Sequence, residues 1–132
     1  MRMVDLTTEA RTAVKAALEM ALGTDWPVFD TVPQGTAPNF VMIGAVDTED
    51  KSDQWVQMEQ LTVDIAGIYR GQNRDVLGAM TFAARAALDW QTLVTAKATF
   101  QCRFASGSIS EAQQDGITYG SLTTFTLLGQ PT

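Results

Sequence analysis

The sequence predicts an α+β fold: a mostly antiparallel sheet of four to five strands with two helices packed on one face, in the order α-β-β-β-α-β-β. Three observations predict it. Two alanine-rich segments repeat apolar residues at spacings of three and four, the period of an amphipathic helix. Several short segments alternate apolar and polar residues, as half-buried strands do. The strand-like segments follow one another through short connections, which suits antiparallel neighbours with the helices gathered on one side.

The first helix spans residues 6–22, LTTEARTAVKAALEMAL. Leu6, Ala10, Ala13, Val14, Ala17, Leu18, Ala21 and Leu22 fall on one stripe, and Glu9, Arg11, Lys15 and Glu19 take the other face. Asp5 or Thr7 can cap its first turn, and Gly23 supplies a permissive end. Val28–Val32 reads as a short strand, broken by the segment from Pro33 to Pro38, since proline fixes the backbone and forbids helix there. Asn39–Val46 is a second strand, apolar on both faces and therefore covered on both sides, within the chain or by a neighbouring subunit. Asp47–Gln54 reads as a polar loop with four acids and one lysine.

QLTVDIAGIYR, residues 60–70, alternates cleanly: Leu61, Val63 and Ile65 face one side, Thr62 and Asp64 the other. Gly67 marks a bulge or a close approach of backbone. The second helix follows, with Asn73 as N-cap, Asp75 complementing the helix dipole, and a buried stripe of Val76, Met80, Ala83, Ala84, Ala87 and Leu88. Ala98, Phe100, Cys102 and Phe104 keep a strict period of two. The last strand, Ile117–Leu128, alternates less cleanly, with a bulge expected near Gly120. Residues 106–116, SGSISEAQQDG, read as a polar hairpin loop.

The chain has 132 residues, a length that fits a single domain over 1–132 with a real core. Its 45% hydrophobic and 18% charged content is globular. A net charge of −6 argues against binding nucleic acid by phosphate neutralisation. With no histidine, Ser–His–Asp and Cys–His catalysis and His-containing zinc sites are excluded. Cys102 is the single cysteine, so no internal disulfide forms. On the apolar phase of its strand it reads as a plain buried thiol. The segment MRMVDLTTEARTA lacks the apolar core of a signal peptide, and no run approaches a membrane span, so cytoplasmic synthesis without membrane insertion is expected.

No phosphate-binding, dinucleotide or nucleophile-elbow motif is present, so the expectation is no enzyme, no cofactor and no metal site. Asp47, Glu49, Asp50 and Asp53 lack the glycine and terminal glutamate of an EF-hand loop, and read as a solvated loop or charged contact surface. Trp26 reads as an aromatic anchor between the first helix and the sheet. Phe29 and Phe40, near the doubly apolar strand, are candidates for a surface closed by another copy of the chain.

The least generic segment is VFDTVPQGTAPNFVMIG, residues 28–44, preceded by the Ala/Leu helix and followed by NRDVLGAMTFAARAAL and QQDGITYGSLTTFTL. This pattern resembles the tail-completion, or tail-terminator, proteins of long-tailed bacteriophages and gene transfer agents. Val28, Phe29, Asp30, Val32, Pro33, Pro38, Val41, Ile43 and Gly44 carry the resemblance, while Asn39 and Phe40 stand where many relatives have a tyrosine after the second proline.

The resemblance implies a structural virion protein at the head-proximal end of the tail, synthesised in the host cytoplasm. It implies a hexameric ring that caps the tail tube, stops its growth and offers a docking surface to head–tail connector proteins. The partners implied are further copies of the chain, the tail tube protein and the connectors, with DNA passing through unbound. Six copies would carry about −36, which suits a bore along which phosphates slide without adhering. On this reading some of Asp47, Glu49, Asp50, Asp53, Glu111 and Asp115 are expected at the lumen or at the tube and head contacts, and the sequence does not say which. The competing readings are a head–tail connector or neck protein, and a small ferredoxin-like α+β ligand-binding protein or enzyme.

Overall fold

The structure is a computed structural model and describes residues 3–132; Met1 and Arg2, which open the segment read for a signal peptide, lie outside the described residues. The elements are α1 (Leu6–Leu22), β1 (Val28–Phe29), β2 (Phe40–Asp50), β3 (Glu59–Arg70), α2 (Asp75–Leu88), β4 (Thr92–Val94), β5 (Ala98–Ile109) and β6 (Thr118–Pro131). They build a sheet in the order β1-β2-β3-β6-β5-β4. The α+β class holds, but the sheet has six strands instead of four to five, and it is mixed. β1 runs parallel to β2, and every other pair is antiparallel. The strand missed in the sequence, β4, has three residues, too few for alternation to register. Its partner Thr99–Gln101 on β5 is what makes it a strand.

α1 begins where Asp5 accepts the Thr8 amide at 3.1 Å and the Thr8 hydroxyl at 2.8 Å. Those bonds favour the carboxylate and hold Asp5 below the ordinary range. Gly23 ends the helix at φ 65, a left-handed conformation open to glycine at little cost. α2 buries Leu77, Met80, Ala84 and Leu88, whereas Val76, expected in the stripe, is 40% exposed. Alanine on several sides of this helix leaves the phase of the stripe open, and the large Leu77 and Met80 decide it. The N-cap is Arg74, without a side-chain capping bond, and not Asn73 as expected; Asn73 sits one residue earlier, where its Oδ1 accepts the Asp75 amide at 3.0 Å.

Both helices pack on one face of the sheet and against each other. There Leu61, Val63, Ile65, Phe100, Cys102, Phe125 and Leu127 join Leu6, Val14, Leu18, Leu77 and Leu88 in one core. Trp26 is buried against Tyr69, ring centroids 6.3 Å apart, and links the end of α1 to β3 as expected. Gly67 is a point of close approach and not a bulge: a Cβ there would lie 2.5 Å from Met80 Cε and 2.7 Å from Ser121 Oγ. The β3–β6 ladder is unbroken from Glu59–Gly129 to Arg70–Thr118, so the bulge expected near Gly120 does not exist. The irregularities lie between Ile43 and Val46 on β2 and between Phe104 and Ser106 on β5. The first lets Ile43 and Val46, three residues apart, face the same side.

Several boundaries also move. The first strand stops at Phe29, well short of Val32. Asp47–Asp50, read as loop, continue β2, because pairing with Glu59–Thr62 carries the hairpin onward. Ser106–Ile109, also read as loop, pair with Ser121–Thr124. The last strand reaches Pro131.

Candidate functional site

The face of the sheet turned away from the helices is open. Thr62, Asp64, Thr124 and Thr126 occupy its centre half-buried, with the Thr124 hydroxyl donating to Asp64 Oδ1 at 2.9 Å. Leu122 and Leu128 on the same face are 46% and 38% exposed.

The VFDTVPQGTAPNFVMIG segment does not converge on a pocket. Val28, Val41 and Ile43 are buried under the helices. Asp30 pairs with Arg11 of α1, its Oδ1 2.8 Å from Nε, which ties the segment to the helix. The Pro33 carbonyl accepts the Thr36 amide at 3.2 Å and its hydroxyl at 2.6 Å, closing the turn before Pro38. Asn39 Oδ1 accepts the Arg70 amide at 3.0 Å and so pins the end of β3. Val32 is half-buried, and a Cβ on Gly44 would lie 3.4 Å from the Asp64 carbonyl oxygen. Phe29 and Phe40 meet edge to face, centroids 6.1 Å apart, both half-buried at the β1–β2 edge.

The six carboxylates grouped by the sequence separate into two sets. Asp47, Glu49, Asp50 and Asp53 lie at the end of the β2–β3 hairpin, while Glu111 and Asp115 lie in the 110–117 loop beside Arg70 and Thr118. The 12 residues of β3 separate the two ends by roughly 36 Å at ~3.3 Å per residue. Both ends are internally bonded. Asp53 Oδ1 accepts the Trp55 and Val56 amides at 2.9 Å. Hydrogen bonds from Ser52 hold the Asp50 carboxyl low, and bonds from the Thr118 hydroxyl and the Ile117 amide do the same for Asp115. The buried Gln57 fastens the hairpin to the start of the chain: Oε1 accepts the Val4 amide at 3.0 Å, and Nε2 donates to the Val4 carbonyl at 2.9 Å. Trp55 at the tip is 77% exposed.

A cluster that the sequence did not disclose lies at the β5 edge. The Arg103 guanidinium stacks 3.1 Å from the centroid of Trp90, which is 73% exposed, and Arg85 stacks 3.8 Å from that of Phe104. Asp89 sits between the two arginines, 3.1 Å from Arg103 Nε and 3.9 Å from Arg85 Nε. The Phe104 amide, with both guanidiniums, holds its carboxyl below the usual range. Two cations share one anion, so this edge keeps a positive excess. Beside it, α2 and the outer part of β5 enclose an open groove of about 480 Å³, with Phe82, Phe104 and Ile109 in its walls. Only the i,i+4 spacing of Arg85 and Asp89 is visible in the sequence; Arg103 arrives through β5 pairing.

Among the described residues no group of three or more His, Cys, Asp or Glu side chains could hold a metal ion, and no helix is long and apolar enough to cross a membrane. An open sheet face, an acidic hairpin end and an arginine–aromatic edge are the exposed features of this fold. A family model, tail completion protein gp17, matches residues 9–127, and the chain belongs to that family of structural phage tail proteins. The resemblance carried by residues 28–44 is thereby borne out. Among solved structures, a chain titled "Virion of native gene transfer agent (GTA) particle" is similar at a TM-score of 0.81 and 20% identity. The match covers 97% of this chain and 99% of that one, a likeness of fold. No curated protein matches.

Proposed function

We propose that this protein is a tail terminator: a non-enzymatic single domain that assembles as a hexameric ring on the head-proximal end of the tail tube. The ring stops tube growth, offers a face to the head–tail connectors and lets DNA pass. The match to the tail completion family over residues 9–127 carries this reading.

The separation of the acids supports a finer assignment. The hairpin tip with Asp50, Asp53 and Trp55 forms one axial face of the ring, and the loop with Glu111 and Asp115 forms the other. One face meets the tube and the other the connectors. The open sheet face, with Thr62, Asp64, Thr124 and Thr126 at its centre, borders the bore, where a carboxylate and the absence of a cation among these four leave phosphate charge unneutralised. Phe29 and Phe40 lie at the contact between copies.

Negative-stain imaging of the purified protein with and without tail tubes tests the proposal. Six-fold rings with a central hole, seated on tube ends, are expected. A protein that binds connectors but never tube ends would overturn the terminator role, and one that forms no ring in either setting would overturn assembly.

A further inference from the structure

The two edges of the sheet are unlike, and their differences match. Following the cross-strand partners, one row runs Phe29–Met42–Ala66–Leu122–Ser108, which is β1, β2, β3, β6 and β5. A row nearer the hairpin tip runs Glu49–Gln60–Leu128–Gln101–Thr92, which is β2, β3, β6, β5 and β4. The short strands β1 and β4 thus add a step to opposite edges at opposite heights, and each of these rows holds five strands. Past Met42 no strand among the described residues covers the outer side of β2, and past Phe104 none covers β5. Bare edges of this kind are sites where another chain can lie.

Charge follows the same plan. In the row between the steps, Asp47 pairs with Thr62, Thr62 with Thr126, and Thr126 with Arg103. Asp47 and Arg103 therefore stand at the same height on opposite edges and on the same open face. Around Asp47, residues 47–59 carry five carboxylates and a single lysine. Around Arg103, Arg85 and Arg103 share Asp89 alone, with Trp90 exposed beside them.

We infer that the β1–β2 edge of one copy docks against the β4–β5 edge of the next, with Asp47 and Glu49 facing Arg103 and Trp90. This rests on the ring reading above and identifies its joint. The partner is a second copy of this chain, because each edge supplies the step and the charge that the other lacks. Unlike surfaces joined head to tail close into a ring when the rotation involves no shift along the axis, and charges at equal height meet that condition. Exposed Trp and Arg are the residue types that anchor protein contacts. The two rows that hold five strands, repeated in six copies and spaced as within a sheet at ~4.8 Å, trace a backbone cylinder about 46 Å across. That bore admits a DNA duplex.

Native mass measurement on three proteins tests the joint: the wild type, Asp47→Lys with Glu49→Lys, and Arg103→Glu. The wild type is expected to assemble, and each variant to fold by circular dichroism yet fall to a single copy, about a six-fold loss of mass. An equimolar mixture is expected to recover the ring, because alternating copies restore opposite charges at every joint. Either variant assembling alone as the wild type does, or folded variants failing to recover on mixing, would overturn the inference while leaving the ring reading in place.

Should Arg103→Glu not fold, a chain with Asp47→Cys and Arg103→Cys decides instead. Three strand spacings, about 14 Å, separate these positions within one copy, too far for an internal disulfide. A ladder of linked copies on oxidation supports the joint, and its absence from assembled protein overturns it. A wild type that stays single at every concentration and on tube ends overturns the ring reading and this inference together.

Discussion

The two faces of the sheet are made from the same strands, residue by residue, yet they do different work. On β3 and β6 the helix-side positions Leu61, Val63, Phe125 and Leu127 are fully buried, while Leu122 and Leu128 on the opposite side remain 46% and 38% exposed. The covered face is complete within one chain. The open face keeps apolar and hydrogen-bonding groups half-covered, with Thr124 bonded to Asp64 across it. Alternation with a period of two is what lets one strand serve both ends, since folding constrains every second residue and leaves the others free.

Substitutions can break that division or sharpen it. The largest effect is expected from Phe100→Ala on the covered face, a loss of about 3–5 kcal/mol in urea unfolding. Leu122→Ala on the open face is expected to cost less than about 1 kcal/mol, because exposed leucine has little transfer energy to lose. Equal losses at the two positions would erase the distinction.

One pair of glycines makes the same point with opposite signs. Gly67→Ala drives a methyl group into Met80 and Ser121 and is expected to destabilise by about 1–3 kcal/mol. Gly78→Ala, with Ile109 Cδ1 at 3.8 Å as its nearest new neighbour, is expected to stabilise α2 by about 0.5–1 kcal/mol. Thermal melts of the two variants read the sign directly.

Asp5→Ala is expected to cost about 1 kcal/mol through loss of the α1 cap. The folded carboxyl is held low, so this contribution is full above the ordinary carboxylate value of 3.8 and disappears as pH falls through the folded value. Wild type and variant should therefore converge in strong acid.

At neutral pH the smallest effect belongs to Cys102, whose thiol burial pushes up to about 12. The unfolded thiol ionises first, so stability is expected to decline as pH climbs above 9.0. Thiol-reactive dye should label the native protein far more slowly than the unfolded one. Rapid labelling without unfolding would show that the covered face opens locally.

The helices, the alternating core of β3 and β5 and the buried Cys102 could be read from sequence because each is a local pattern with one period. β4 and the second half of β2 could not, since three residues of TLV and an acidic DTED become strand only through a partner strand. The α2 stripe was legible at Met80, Ala84 and Leu88 and missed only at its start, where Leu77 and not Val76 is buried, because alanine around the helix leaves its edge undefined. That the six acids divide between the two ends of the sheet follows from strand pairing, which charge alone does not reveal. The Arg85–Asp89–Arg103–Trp90 cluster is assembled across the α2–β5 junction, and sequence distance hides it. The family segment stayed recognisable because proline, glycine and Asp30 act on neighbouring backbone and on α1, largely local constraints.

The reciprocal hydrogen bonds between Gln57 and Val4 tie the hairpin tip to the start of the chain before it meets anything. Its loop conformation is already chosen, so docking involves little additional loss of conformational freedom, and the association rate is not slowed by a search among shapes. Any partner that meets this tip would encounter Trp55 already presented, 77% exposed.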